Sequence, residues 1–285
     1  MKRPVLITGC SSGIGLATAT LLAERGVPVY ATVRRAEDAE RLAAVEGIEP
    51  FLCDVTDAAQ VQQLRGAIEA RGVGLWGIVH NAGIAHVAPM ALTAEEALRA
   101  VFDVNVFAVH RVTNALLDLV SAARGRIVTL SSLSGTRTAA SLGAYSMSKH
   151  AIEAYTDALA QELADRGVHA CAVVPGNFAS AILENAVRRF EAPAGASEAL
   201  QAFYAPGADV SRAEFPGPEA VAASCYAALY DDAPLSRYLV TPNEDEAHGM
   251  LEGALGEWAR LNRATPHRWS RAQLLAALDA IEEAG

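Results

Sequence analysis

Six short, almost uninterrupted apolar segments recur along the first 176 residues, separated by longer segments with helical patterning. The apolar segments are PVLITG (4–9), VPVYATV (27–33), IEPFLCDV (48–55), LWGIVHNAG (75–83), GRIVTLSS (125–132) and VHACAVVPG (168–176). Segments of this kind are typical of strands buried on both faces. The helix-like segments lie at 13–25, 37–46, 57–71, 94–122 and 144–166. This alternation predicts an α/β fold, a doubly wound parallel sheet with helices on both faces.

The pattern changes after residue 176, where Ala, Pro and Gly become frequent through residue 218. Helices are predicted at 180–191, 217–231, 244–262 and 270–283, with a short strand at 237–242 that would extend the sheet to about seven strands. We expect one Rossmann-like domain over 1–285. Its parts would be a cofactor-binding and catalytic core (1–176) and a substrate lid with the last strand and C-terminal helices (177–285).

Charge and composition exclude several functions. A net charge of −10 argues against nucleic acid and against an anionic membrane surface, because both need basic clusters. The sequence has no apolar run near the roughly 20 residues that span a bilayer, so we predict no membrane span. The four cysteines are far apart and the histidines lack metal-ligand spacing, which favours reduced thiols, a cytoplasmic location and no metal site.

The segment TGCSSGIG (8–15) joins the first predicted strand to the first predicted helix. Its three glycines, spaced GxxxGxG, let the backbone turn sharply and approach a pyrophosphate at the helix N-terminus. A tight turn that binds nothing is the alternative. We assign the loop to the phosphates of a dinucleotide, through Gly9, Ser11, Ser12, Gly13, Ile14 and Gly15.

The second predicted strand ends YATVRR, at the place where an acidic residue would bind the free ribose hydroxyl of NAD. Val33 stands there instead, followed by Arg34, whose planar guanidinium suits a phosphate. We therefore predict NADP(H) in preference to NAD(H), with Ser12 as a second contact to the same phosphate. The alternative is that Arg34 only solubilises a helix start.

The ends of the third and fourth predicted strands supply further cofactor contacts. CDVTD places Asp54 near the adenine amino group, with Val55 as a backbone contact, whereas Asp57 fits a helix N-cap. HNAG follows the fourth strand, where small residues allow a close approach of the backbone. The residues expected under the cofactor are Asn81, Ala82 and Gly83.

Tyr145 and Lys149 stand four residues apart in the segment predicted to be helical over 144–166. Both side chains would project from one face, one turn apart. An ammonium beside a phenol lowers the pKa of the phenol toward the range that acid–base catalysis needs. The chain has only two lysines, so a chance pair is a weak explanation. Tyr155, in the same segment, is interpreted as a packing residue.

Together, TGCSSGIG, NAG, SS at 131–132, YSMSK and PG at 175–176 resemble the single-domain short-chain dehydrogenases/reductases over about residues 4–176. The resemblance is greatest to NADP(H)-using hydroxysteroid and retinol dehydrogenase-like members. It implies an oxidoreductase that interconverts a carbonyl and an alcohol by direct hydride transfer. A cofactor-binding regulator without turnover, and an epimerase or dehydratase on the same fold, are the alternatives.

The resemblance also implies a role for each catalytic residue. Ser132 would hydrogen-bond the substrate oxygen, Tyr145 would transfer its proton, and Lys149 would tune Tyr145 and hold the nicotinamide ribose. Asn105 would bend its helix and hold a water that relays protons to Lys149. Tyr145 would also contact the cofactor, and the remaining cofactor contacts are Pro175, Gly176, Phe178 and Ser180, the last standing where threonine is more usual.

Substrate specificity would come from the loops near 84–93, 133–144 and 177–215. Their apolar residues predict a largely apolar small-molecule carbonyl or alcohol, unless they mainly close the core. These residues are Val87, Met90, Leu133, Leu142, Phe178, Ile182, Leu183, Phe190, Phe203, Tyr204 and Phe215. Arg188 and Arg189 are interpreted as a solvated helix face rather than as contacts to an acidic substrate. The long helices favour a homodimer or homotetramer.

Overall fold

The computed structural model describes residues 2–284, in which seven parallel strands form one sheet. The strands are β1 (Val5–Ile7), β2 (Val29–Val33), β3 (Ile48–Leu52), β4 (Gly77–His80), β5 (Arg126–Leu130), β6 (His169–Pro175) and β7 (Arg237–Val240). Their order in the sheet is β3-β2-β1-β4-β5-β6-β7. The order reverses beside β1, which opens a crevice at the carboxyl ends of the strands. The predicted doubly wound parallel sheet is confirmed, with strands a few residues shorter than predicted.

The helices lie close to their predicted positions. They are α1 (Gly13–Glu24), α2 (Ala36–Ala43), α3 (Ala58–Ala70), α4 (Glu95–Phe102), α5 (Ala108–Ala123), α6 (Gly143–Glu162), α7 (Ile182–Arg189), α8 (Glu198–Phe203), α9 (Glu219–Tyr230), α10 (Glu244–Ala264) and α11 (Arg271–Ala284). Helix α8 was not predicted. The chain divides into two compact units after Pro242, and the second consists of α10 and α11.

Two hydrophobic clusters cover the two faces of the sheet. Val5 and Ile7 belong to the first cluster and Leu6 to the second, because successive side chains of a strand point to opposite faces. Both faces are buried, which explains why the strand sequences are continuously apolar. All four cysteines are free and buried, as predicted.

Between α4 and α5, residues Asp103–Phe107 form one π-helical turn, so the helical segment is continuous from Glu95 to Ala123. Among the described residues, this is the one helix whose length and composition would allow it to cross a membrane. Its residues Val112 and Leu116 are buried in the second hydrophobic cluster. This apolar side therefore packs against the protein itself.

Candidate active site

A cavity of about 1170 Å³ opens at the carboxyl ends of the strands. Every residue predicted to bind cofactor or to act in catalysis lines it, except Gly15 and Asn105, which are buried beside it. Residues distant in sequence are brought together here because all seven strands run in the same direction. The cavity is large enough for a dinucleotide and a small substrate.

The glycines of the loop after β1 are required for two different structural reasons. Gly9 and Gly13 have φ angles of +74° and +57°, which L side chains rarely adopt. Gly15 instead makes room, since a Cβ there would lie 2.3 Å from Nδ2 of Asn81. The loop can therefore turn tightly while α1 starts close to the end of β4.

Asn81 holds this loop in shape from the end of β4. Its Nδ2 donates to the carbonyl oxygens of Thr8 and Gly9, each at 2.9 Å. The Thr8 hydroxyl accepts from the backbone nitrogens of Asn81 and Ala82, each at 3.1 Å. The side chain of Asn81 is thus committed to the loop, a role that sequence reasoning missed together with that of Thr8.

The start of α1 fits the phosphates of a dinucleotide. Within the described chain, the side chain of the N-cap residue Ser12 makes no capping hydrogen bond to the helix. The first turn opens with Gly13, Ile14 and Gly15, so no charged side chain covers the helix end. Uncapped amides and the positive end of a helix dipole attract phosphate. The cradle without Cβ atoms at Gly9 and Gly13 fits the same group.

Arg34 differs from the nearby Arg35 and Arg41, which are both ion-paired. Asp38 forms ion pairs with Arg35 and Arg41, each at 3.1 Å, and Arg41 also donates to the carbonyl oxygen of Ser11. Burial alone would raise the pKa of Asp38, but the hydrogen bonds from Arg41 and Arg35 outweigh it and lower the pKa. Arg34 is exposed and, among the described residues, forms no ion pair. Its guanidinium is available to an anion in the cavity.

The end of β3 is fixed by local hydrogen bonds. Oδ1 of Asp54 accepts from the backbone nitrogen and hydroxyl of Thr56 at 2.9 and 2.7 Å. Asp57 caps α3 by accepting from the backbone nitrogens of Ala59 and Gln60, which confirms its predicted role. The Asp54 carboxylate is therefore held in one position on the cavity wall.

The segment after β6 closes the cavity from the other side. The Gly176 nitrogen donates to the Val240 carbonyl at 2.7 Å, which fixes the PG turn against β7. Phe178 is 4% exposed and joins the first hydrophobic cluster while also lining the cavity. The Cβ atom of Ser180 lies 3.8 Å from the position that a Cβ at Gly13 would take. Ser180 therefore lies directly against the glycine loop after β1.

Lys149 is the buried cation of the site. It is 5% exposed, its Nζ donates to the Leu130 carbonyl at 2.6 Å, and Nζ lies 5.6 Å from the ring centroid of Tyr145. Burial lowers the pKa of Lys149 to about 8, and the charge of Glu153 opposes that shift. Lys149 is still mostly protonated at pH 7.

Glu153, one turn beyond Lys149 on α6, extends the charged network. It is buried, and its Oε2 accepts from Nε of Arg237 on β7 at 2.8 Å. This ion pair holds the carboxylate beside Lys149. Sequence reasoning missed both partners, although the i+4 spacing from Lys149 to Glu153 is visible in the sequence.

The pKa of the Tyr145 phenol corrects one expectation. We predicted that the lysine lowers it, but burial raises it above the ordinary value. Ser132 and Arg212 oppose this shift, through a hydrogen bond and through charge. The cost of removing a phenolate from water exceeds the stabilisation that these two neighbours provide, so the phenol keeps its proton at neutral pH. Ser132, chosen over Ser131 and Ser134, is the serine that reaches the phenol.

Asn105 lies in the π-helical turn and is 1% exposed. Its side-chain oxygen accepts from the Ile84 nitrogen, and its Nδ2 donates to the Ile84 carbonyl, both at 2.9 Å. Nδ2 also reaches Oγ of Ser148 at 2.9 Å. The amide of Asn105 thus ties the segment after β4 to helix α6, next to Lys149.

The predicted apolar lid divides into two groups. Five of its residues line the cavity: Leu133, Leu142, Phe178, Ile182 and Leu183. Other residues of the predicted lid form small separate clusters. The Tyr204 hydroxyl hydrogen-bonds the backbone of Val87, and the Phe190 ring packs on His86. Arg188 and Arg189 line the cavity as well, and so does Arg212, which sequence reasoning did not single out.

Comparison with known proteins gives consistent matches. The short chain dehydrogenase family model matches residues 3–190. The uncharacterized oxidoreductase YbbO of Escherichia coli K12 is 33% identical over 243 residues, covering 85% of this chain and 86% of that protein. Human retinol dehydrogenase 16 is 39% identical over 185 residues, covering 62% of this chain and 57% of that protein.

Solved structures agree on the fold. A short-chain dehydrogenase from Streptomyces avermitilis has a TM-score of 0.74 and 28% identity, covering 93% of this chain and 98% of that one. A gluconate 5-dehydrogenase from Burkholderia cenocepacia, solved with NADP and tartrate, has a TM-score of 0.69 at 23% identity, covering 85% of this chain and 95% of that one. With its glycine loop and its Tyr145–Lys149 pair at one parallel-sheet crevice, the chain belongs to the short-chain dehydrogenase family of oxidoreductases.

Proposed function

We propose that the protein interconverts a carbonyl and an alcohol on a mainly apolar small molecule, using NADP(H) in preference to NAD(H). The observation that carries this proposal is the convergence of Ser132, Tyr145 and Lys149 with the glycine loop in one cavity. When bound, NADP(H) supplies or accepts the hydride. The chain's own residues then have to place the reacting carbon and move one proton.

Tyr145 is the general acid in reduction and the general base in oxidation. Its raised pKa keeps the proton on the phenol until the substrate oxygen gains negative charge. Ser132 orients that oxygen by hydrogen bonding. The Lys149 ammonium, 5.6 Å from the Tyr145 ring centroid, stabilises the phenolate that reduction leaves behind.

Asn105 supports these groups from behind the cavity wall. Because its amide is committed to Ile84 and Ser148, we propose that it fixes the wall beside Lys149, where the predicted water would relay protons. The apolar part of the substrate would contact Leu133, Leu142, Ile182 and Leu183.

An NADPH-oxidation screen over steroids, retinoids, aliphatic aldehydes and aromatic ketones tests the proposed reaction. We expect turnover of at least one class, followed as loss of absorbance of the reduced nicotinamide, and the reverse reaction with the matching alcohol. Tight NADPH binding with no turnover in either direction across the panel would favour the regulatory alternative.

Replacing Arg34 with aspartate should reverse the cofactor preference. The unpaired guanidinium of Arg34 would bind the 2′-phosphate, and charge-assisted hydrogen bonds contribute about 1.5–3 kcal/mol. We therefore expect the KM for NADPH to rise about 10- to 100-fold while the KM for NADH stays level or falls. Arg99→Asp, at an exposed position on α4, is the matched control. An unchanged NADPH preference in Arg34→Asp would refute this assignment.

We also propose a cytoplasmic location and assembly into a homodimer or homotetramer. Phe107 and Met147, on the two long helical segments predicted to pair between copies, are 55% and 46% exposed. Exposed apolar residues on long helices support such pairing.

A further inference from the structure

The cavity concentrates positive charge in an acidic protein. Its charged lining consists of six arginines, one lysine and two aspartates, whereas the whole chain carries a net charge of −10. Arg34, Arg35 and both aspartates belong to the end assigned to the adenosine half of the cofactor. Four arginines remain elsewhere in the lining: Arg137, Arg188, Arg189 and Arg212. Such a cavity attracts anions beyond the cofactor itself.

Arg212 differs from the other three because the segment after β6 holds it in place. Its Nη2 donates to Oδ1 of Asn177 at 2.7 Å, and its guanidinium lies 4.6 Å from the ring centroid of Phe215. The Ala179 nitrogen donates to the Pro216 carbonyl at 2.8 Å, which joins the two loops. Arg137, Arg188 and Arg189 are instead exposed.

The hydrogen-bonding capacity of Arg212 is mostly unused. Its Nε atom is buried and has no hydrogen-bond partner, and among the described residues no carboxylate forms an ion pair with it. Arg237, by contrast, is paired with both Glu153 and Asp157. A buried N–H without a partner is costly, which points to a partner that arrives from the cavity.

The position of Arg212 relative to the reacting group limits what that partner can be. Its charge acts on the Tyr145 phenol, and both residues line the same cavity. An anionic group held by Arg212 would therefore belong to the molecule whose carbonyl or alcohol reaches Tyr145. The planar fork of arginine matches the two oxygens of a carboxylate.

We propose that Arg212 binds a carboxylate of the substrate, so that the substrate is an oxo acid or hydroxy acid with an apolar chain. This inference rests on the proposed carbonyl–alcohol function and makes its substrate class more specific. The apolar residues Leu133, Leu142 and Ile182 would contact the chain, while Arg212 fixes its charged end.

The test uses oxoalkanoates with the ketone at successive positions from the carboxylate, each paired with its methyl ester, and NADPH in excess. Wild-type enzyme should show a kcat/KM about 10- to 100-fold higher for the best acid than for its ester. In Arg212→Gln the ratio of acid to ester kcat/KM should fall to about one, mainly through a higher KM for the acid, because any effect of the lost charge on Tyr145 falls on acid and ester alike. Arg99→Gln, which removes the same charge from exposed α4, should keep the preference.

The outcomes separate the two proposals. Equal wild-type activity on acids and esters would overturn the carboxylate site while leaving the carbonyl–alcohol function intact. An equal loss on acid and ester in Arg212→Gln would show a structural role for Arg212 and would also overturn it. If the neutral ketones and aldehydes of the wider screen, the oxo acids and the esters all stay unreduced, the proposed function itself fails. If Arg188→Gln lost the preference for the acid while Arg212→Gln kept it, the carboxylate would bind on α7 and the assignment to Arg212 would be refuted.

Discussion

Tyr145→Phe is expected to lower kcat by about three orders of magnitude, within the range that a positioned general acid contributes. The substitution keeps the aromatic ring that packs near Lys149 and removes only the hydroxyl that carries the proton. Binding of NADPH, measured by the fluorescence of its nicotinamide, should change by less than about threefold, because the glycine loop and Arg34 are untouched. Loss of kcat with retained cofactor binding is the signature of a transition-state role.

The same helix offers a matched control for this experiment. Tyr155 packs against the second hydrophobic cluster and contacts His110 edge-on, with ring centroids 5.9 Å apart. Tyr155→Phe removes an identical hydroxyl and should leave kcat within about twofold of wild type. If Tyr145→Phe kept activity within a few-fold of wild type, the proposed acid–base mechanism would be wrong.

Lys149→Arg is expected to abolish most activity although it preserves the charge. Nζ of Lys149 lies 2.6 Å from the Leu130 carbonyl and the residue is 5% exposed, so the ammonium is held at one point of the cavity wall. A planar guanidinium is larger, and accommodating it must shift the wall or displace the charge from Tyr145. A misplacement of about 1 Å can cost about 100-fold in rate, and we expect a loss of at least that size in kcat.

The chain's only other lysine provides the control for this substitution. Lys2 is exposed, its Nζ donates to the Arg25 carbonyl at 3.3 Å, and it does not line the cavity. Lys2→Arg should retain full activity and unfold at the same temperature as wild type. Near-normal kcat in Lys149→Arg would show that the site needs only a positive charge, and the proposed geometry would then be wrong.

Much of the fold follows from strong local signals. The buried strands could be predicted because a strand covered on both faces has to be apolar throughout, as Val5, Leu6 and Ile7 show. Helix α8 was missed because its six residues lie among prolines and glycines and are too short for a helical period to emerge. The π-helical turn at Asn105 rests on tertiary hydrogen bonds to Ile84 and Ser148, which local sequence does not encode.

The site was predictable where spacing alone brings groups together, and not where folding of distant segments does so. Tyr145 and Lys149 meet because they are one helical turn apart. Arg212 reaches the same cavity through a loop whose path depends on Asn177 and Pro216, so its position could not be derived from the sequence. The pKa of Tyr145 was predicted in the wrong direction because burial, a property of the folded chain, outweighs its neighbours.

The pairing of Asp38 with Arg35 and Arg41 has a consequence for how such an enzyme can evolve. Because Arg41 also donates to the Ser11 carbonyl, this trio helps Asn81 to hold the glycine loop, and Arg34 has no part in these contacts. With the role proposed for Arg34, a change of cofactor preference needs a substitution at one position that leaves these contacts of the glycine loop intact. The fold thus keeps the contacts that shape the glycine loop apart from the residue proposed to select the cofactor.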